Sequence, residues 1–388
     1  MNVLFLTHNF PRYDGDAAGS FLLLLARALR DEGVNVNVVA PAAPDAPASE
    51  IVSDVPVERF RYAPRKYETL AYGGNMAQLV KASWSAKLTL LGFLGAEFRL
   101  GSRRRAEHAP DIIHAHWWFP SGMVGTWLAR LTGKPLVTTM HGTDVRLAKS
   151  VAFARPAFRH VLQHSAAVTA VSRWLATEAG SLVSAPSAQI APMPVNTSFF
   201  TPGSNRDQRR LLFVGRLSTQ KGVDYLLRAL ALMTTPASLD IAGAGDERER
   251  LEGLAQQLGI GDRVRWLGVL PHQRLADLYR SAAAVVVPSL EEGLGLVAVE
   301  AQLCETPVVA ADSGGLPDVV QHDRTGILVP PADAALLARA LDDVLARPDH
   351  AATLGKAGRL HALATFAPES VARRYAEIYR NAIASAPK

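Results

Sequence analysis

The sequence predicts an α/β chain in two halves, each a parallel sheet whose buried strands alternate with helices. Three observations carry this. Short continuous apolar runs, such as residues 2–7 (NVLFLT) and 282–287 (AAAVVV), have the pattern of strands covered on both faces. Glycine-bearing loops lead from such runs into helical stretches, as at Gly15 and Gly19 or at Gly293 and Gly295. The alternation is interrupted at residues 191–202 (APMPVNTSFFTP), a proline-rich linker, and then restarts. A chain of 388 residues has room for two such domains, each with its own core.

In the first half, the strand at 2–7 leads through the loop 8–19 to a helix over 20–30, with further strands at 34–40 and 57–61. Residues 76–100 place Leu79, Val80, Trp84, Leu88, Leu91, Phe93, Leu94 and Phe98 among Lys81, Lys87 and Arg99, which predicts one long or two shorter amphipathic helices with a basic fringe. Such a helix either packs on the core with solvated lysines or lies on an anionic membrane surface. A strand at 111–116 (DIIHAH), a helix at 121–131 and strands at 135–140 and 166–171 complete this half, with Ser172 as the N-cap of the next helix. In the second half, strands at 210–214, 238–242, 264–267, 282–287, 307–311 and 326–329 alternate with helices, and terminal helices follow at 334–345 and 369–384.

Composition narrows the class. A hydrophobic share of 48% excludes disorder. The single cysteine, Cys304, has no internal disulfide partner, which fits a reducing compartment. No secretory leader pattern and no apolar run of ~18 to 20 residues is present, so a cytoplasmic protein without a membrane span is expected. The formal net charge of +5 is regional: residues 59–105 hold ten Lys or Arg against Glu68 and Glu97. The aromatics there fall at core-like helical spacing and match no nucleic-acid-binding motif, so nucleic acid is not expected as a partner.

The chemistry concentrates in loops after strands. Residues 288–301 (PSLEEGLGLVAVEA) join a buried strand to a helix through Gly293 and Gly295, presenting a helix N-terminus at the carboxyl end of a parallel strand, where anions bind in open α/β sheets. Glu292 and Glu300 frame this turn; carboxylates accept hydrogen bonds from sugar hydroxyls while backbone amides take phosphates. Acids near a helix start also favour the helix dipole alone. Residues 215–222 (GRLSTQKG) put Arg216 and Lys221 beside the first strand of the second half, two cations suited to a diphosphate or to surface ion pairs. His141, in HGTD at the end of a buried strand, points into a ligand crevice or is a capped core histidine.

Read together, GRLSTQKG, EGLGLVAVEA and HGTD make the chain resemble the retaining glycosyltransferases of family four, over nearly its whole length. The resemblance implies the GT-B architecture: two facing Rossmann-like domains with an interdomain cleft, an acceptor-binding domain at 1–196, a nucleotide-sugar-binding domain at 197–368, and a helix at 369–388 crossing back to the first. It implies that Arg216 and Lys221 hold the donor diphosphate, that Glu300 binds the ribose hydroxyls, and that Glu292 contacts the transferred sugar. Backbone amides of Gly293, Leu294, Gly295 and Leu296 would reach sugar or phosphate, with His141 by the sugar ring. Gly19 would let the first loop approach the diphosphate, while Gly243, Gly245, Leu267 and Val269 would line the nucleotide. The chain departs from the family pattern at Gly19-Ser20, where a glycine pair is common, at Asp318, where glutamate is usual, and at residues 193–196 (MPVN).

The implied reaction moves a hexosyl unit from a nucleoside-diphosphate sugar, a co-substrate, to a glycan or lipid-linked acceptor in polysaccharide biosynthesis, with retention of configuration. No aspartate pair stands at a strand end as a bridging metal would require, so neither metal nor cofactor is expected. An epimerase or phosphorylase on the same architecture, or a non-catalytic nucleotide-sugar-binding protein, are the alternatives. If the basic helices at 76–100 lie on a membrane rather than only on the core, a peripheral contact at its inner face is expected as well.

Overall fold

The computed structural model describes residues 1–16, 18–43, 46–73 and 76–385, except the side chains of residues 104–108; Arg104 and Arg105 of the basic region therefore lie outside the described side chains. The chain divides into two compact units: Met1–Pro194 together with Pro368–Lys388, and Val195–Ala367. The boundaries fall at 194 and 367 rather than 196 and 368, and the helix Pro368–Ala384 belongs to the first unit.

The first unit holds an eight-stranded sheet. Its strands are β1 (Asn2–Leu6), β2 (Asn35–Pro41), β3 (Ser49–Val52), β4 (Val55–Phe60), β5 (Ile112–His116), β6 (Leu136–Met140), β7 (Ala167–Ala170) and β8 (Gln189–Ile190), in the order β3-β4-β2-β1-β5-β6-β7-β8. All pairs are parallel except β3 with β4, so the expectation of a wholly parallel sheet fails at one edge. There the two-residue turn Ser53-Asp54 has positive φ at both positions, the hairpin geometry usually announced by Asn-Gly or Asp-Gly. The helix Ser20–Asp31 packs against Pro368–Ala384.

The region at 76–100 forms two helices, Met76–Ala82 and Trp84–His108. They are not amphipathic in the expected sense. Phe93 and Ala96 are buried in a core with Leu4, Leu6, Phe60 and Ile113, yet Trp84, Leu88 and Leu91 face solvent, so the longer helix is apolar on two sides. The predicted helix at 121–131 begins at Met123, after a kinked segment Trp118–Gly122 in which Phe119 is extended (φ −138°, ψ 134°).

The second unit is a six-stranded, fully parallel sheet of β9 (Asp207–Val214), β10 (Ser238–Ala242), β11 (Val264–Gly268), β12 (Ala282–Val287), β13 (Val308–Ala311) and β14 (Ile327–Val329), ordered β11-β10-β9-β12-β13-β14. β12 is buried at every residue, as its alanine and valine run requires. The helices Val223–Leu232, Arg248–Gln257 and Ala334–Ala346 pack on a core that includes Leu211, Phe213, Leu239, Ile241, Val286 and Val309. Helix Leu296–Leu303 packs on Pro348–Phe366, a 19-residue helix beyond those expected from the sequence.

Candidate active site

In both units the strand order reverses beside the first strand, between β9 and β12 and between β1 and β5, and ligands in open α/β sheets sit at the carboxyl ends of such strands. Arg216 and Lys221 follow β9; Glu292 and Glu300 follow β12. The second-unit residues thus converge on one switch point.

The loops there are locked by backbone contact. Gly222 is left-handed (φ 64°) and caps the helix Val223–Leu232; a Cβ at this position would lie 2.1 Å from the Pro288 carbonyl oxygen. The Leu290 amide donates to the Gln220 carbonyl at 2.8 Å. Across this junction Lys221 Nζ meets Glu292 Oε2 at 2.5 Å, and Ser289 Oγ donates to the same oxygen at 3.2 Å. Diphosphate holder and sugar holder, assigned separate ligands from sequence, are here each other's partner. The Glu292 carbonyl accepts from the Gly315 amide at 2.8 Å, and Ser313 Oγ donates to the Ser289 carbonyl at 2.5 Å, so the loop after β13 buttresses the glutamate. Arg216 is exposed.

Gly293 and Leu294 lead into Gly295, left-handed at φ 93°, which opens the helix Leu296–Leu303 with no side-chain cap. Uncapped first-turn amides at a helix start favour an anion. Glu300, on this helix, accepts a hydrogen bond from Tyr279 Oη at 2.6 Å. Desolvation pushes its carboxyl up to about 7 and the Tyr279 bond opposes the rise; the buried Tyr279 phenol is raised well above its ordinary range.

Gly243 and Gly245 follow β10, where their lack of a side chain serves packing: a Cβ would lie 1.8 Å from the Gly215 oxygen at the first and 2.1 Å from the Leu217 oxygen at the second. Leu267 and Val269 stand at the end of β11, the edge strand, with Val269 exposed. They flank the switch point rather than enter it.

In the first unit, Gly19 is left-handed at φ 67° and packs against the backbone of Asn9 and Phe10, opening the helix Ser20–Asp31. His141 follows β6; its ring stacks on Trp117 at 4.2 Å, and its Nε2 lies 3.2 Å from His116 Nδ1. His8 packs against the same indole at 4.4 Å, its ring tilted by 59°. Desolvation lowers His141 and His116 well below the usual histidine value and takes His8 to about 4, so all three are neutral at pH 7. Asp144 accepts through Oδ1 from the amides of His141, Gly142 and Val145 and through Oδ2 from Trp118, so the aspartate of HGTD fixes the histidine loop.

Tyr279, Ser289, His8, His116, Trp117 and Asp144 were not singled out as site residues by the sequence reading. A His-x-His pair at a strand end followed by two tryptophans (HAHWW, residues 114–118) was the signal for part of this set. Among the described residues, no group of three or more His, Cys, Asp or Glu is placed to hold a metal ion.

The family model "Glycosyl transferases group 1" matches residues 195–361, and "Glycosyl transferase 4-like domain" matches residues 17–196. D-inositol 3-phosphate glycosyltransferases from Thermobispora bispora and Streptomyces scabiei are 36% and 34% identical to the chain, over 95% of it and 91% and 87% of their own lengths. The chain belongs to the group 1 glycosyltransferases. Among solved structures, the sucrose-phosphate synthase of Thermosynechococcus elongatus superposes with a TM-score of 0.83 at 28% identity, covering 99% of both chains. An Anabaena protein solved with UDP and glucose gives 0.73 at 20% identity over 98% of this chain and 99% of its own, a likeness of fold. The group 1 match coincides almost residue for residue with the unit that carries Arg216, Lys221, Glu292 and Glu300. Among the described residues of this glycosyltransferase no helix is long and apolar enough to cross a membrane.

Proposed function

We propose that this glycosyltransferase moves a hexosyl unit from a nucleoside-diphosphate sugar with retention of configuration and without a metal ion. The observation that carries the reading is the Lys221–Glu292 pair at the second unit's switch point, beside exposed Arg216 and the uncapped helix at Gly295. On this reading the C1–oxygen bond of the sugar breaks and its electron pair leaves on the diphosphate. Arg216, Lys221 and the first-turn amides neutralise that charge as it develops. The acceptor hydroxyl attacks C1 from the face just vacated, and its proton passes to a leaving phosphate oxygen. Glu300 accepts from the ribose hydroxyls, Glu292 from the sugar, and neutral His141 serves as a hydrogen-bonding group rather than a nucleophile.

Supported by the cationic helices of the first unit, the acceptor is a lipid-linked or cell-envelope glycan, met at the inner face of a membrane. The activity for which the relatives are named supports a second acceptor, an inositol phosphate. Since the Anabaena neighbour was solved with UDP, uridine donors come first in the test.

The experiment is an assay of nucleotide release with a panel of donors and both acceptor classes. Arg216→Ala and Lys221→Ala should each lower kcat by ~100-fold or more, the scale of losing one charge-stabilising donor. Unchanged rates in both variants would refute the assignment. Product formed without acceptor would mark an epimerase, turnover requiring free phosphate a phosphorylase, and binding without nucleotide release a non-catalytic protein.

A further inference from the structure

A helix that packs one face on the core is expected to be polar on the other. Trp84–His108 breaks this rule. Its inner side carries Phe93 into the core, while Trp84, Leu88 and Leu91 are 79%, 69% and 65% exposed. Spaced three and four apart, they form one outward stripe about two turns long. Single exposed apolar residues are ordinary; a Trp-Leu-Leu stripe on one helix face marks a contact surface.

Charge identifies the contact. From residue 76 to 103 the charged side chains are Lys81, Lys87, Arg99 and Arg103, all exposed, and one acid, Glu97, which is fully buried. The outer surface of this segment is therefore purely cationic. Lys87 Nζ sits 4.0 Å from the centre of the Trp84 ring, so positive charge and indole share one edge of the stripe. Tryptophan prefers the headgroup level of a bilayer, and basic side chains around it are attracted to anionic lipid.

We infer that the outer face of residues 81–99 docks this enzyme on an anionic lipid surface, with Trp84, Leu88 and Leu91 inserted among the headgroups and Lys81, Lys87 and Arg99 against phosphate. The inference deepens the lipid-linked acceptor reading above and rests on it only for its use; vesicle binding tests the surface and nucleotide release tests the reading, so the two fail separately.

The test is co-sedimentation of the full chain with phosphatidylglycerol-containing vesicles against phosphatidylcholine vesicles, at about 50 mM and about 500 mM salt. The chain should pellet with the anionic vesicles at low salt and be released at high salt. Trp84→Ser/Leu88→Ser/Leu91→Ser and, separately, Lys81→Glu/Lys87→Glu/Arg99→Glu should each weaken binding by at least about tenfold. Nucleotide release with soluble substrates and the melting temperature should stay unchanged, since every altered side chain is exposed. Equal binding to both vesicle types, undiminished binding by the serine variant, or a dimer in sedimentation velocity that this variant dissolves would overturn the inference.

Discussion

Glu300 titrates near neutrality because two effects oppose each other at one carboxylate: burial raises it to about 7 and the Tyr279 hydroxyl holds it from rising further. An ionised Glu300 is the better acceptor for ribose hydroxyls, so donor affinity should climb as pH rises through that value. Tyr279→Phe removes the stabilising bond and should shift this climb to higher pH, with kcat at saturating donor little changed. Calorimetric titration of nucleotide between pH 6 and 9 measures it, and an unshifted profile would show that the phenol does not position the acid. At the Lys221–Glu292 pair, Glu292→Gln should weaken donor binding less than it lowers kcat, since the amide keeps the hydrogen bond and loses the charge; steady-state kinetics separates the two.

At the scale of elements, the site depends on loops that touch through backbone. Gly243, at φ 147°, allows the loop after β10 to meet Gly215 closely, and Gly243→Ala should cost ~2 kcal/mol or more and weaken nucleotide binding, as melting and calorimetry would record. Such glycines explain how much of the centre was legible beforehand. Arg216, Lys221 and Glu292 sit in loops that directly follow buried apolar runs, so the run length placed them at strand ends, while Glu300 lies on the helix Leu296–Leu303 that leaves the second of these loops. Tyr279 was illegible because it lies on the preceding helix, at no fixed spacing from Glu300, and meets it only through the packing of helix His272–Ser281. The edge strand β3 was hidden for a similar reason: Ser53-Asp54 lacks the usual hairpin residues. The helix at 84–108 was misjudged because its apolar residues serve two surfaces, which periodicity counts as one.

For the whole molecule, stability should depend on pH through two opposed sets of buried groups. His8 and His114, at about 4 and about 3 when folded, are depressed below the unfolded value of 6.5. The unfolded chain binds more protons below 6.5, so these groups destabilise the fold as pH falls. Glu97, fully buried against Ser121, is raised to about 8 from 4.5, so it binds its proton more tightly when folded and costs stability as pH rises toward 8. Melting temperature should therefore peak near about pH 6.5 and decline on both sides. Glu97→Gln should flatten the alkaline decline, adding on the order of 2 kcal/mol at pH 8.5 and little at pH 5, once the ideal linkage is discounted for relaxation. Differential scanning calorimetry across that range is the check.

His114 also ties Pro368–Ala384 to the first unit: its Nδ1 meets Tyr379 Oη at 2.7 Å, its Nε2 meets Thr139 Oγ1 at 2.7 Å, and Tyr375 Oη donates to the Ala191 carbonyl at 3.1 Å. During synthesis the ribosome makes Val195–Ala367 as one uninterrupted stretch, whereas the earlier unit waits for a helix translated after it. The later domain is thereby free to finish folding before the earlier one, against the usual N-to-C order of vectorial folding. Until then, the nascent first unit leaves the seat of Tyr375 and Tyr379 open, a window in which chaperones have most to cover.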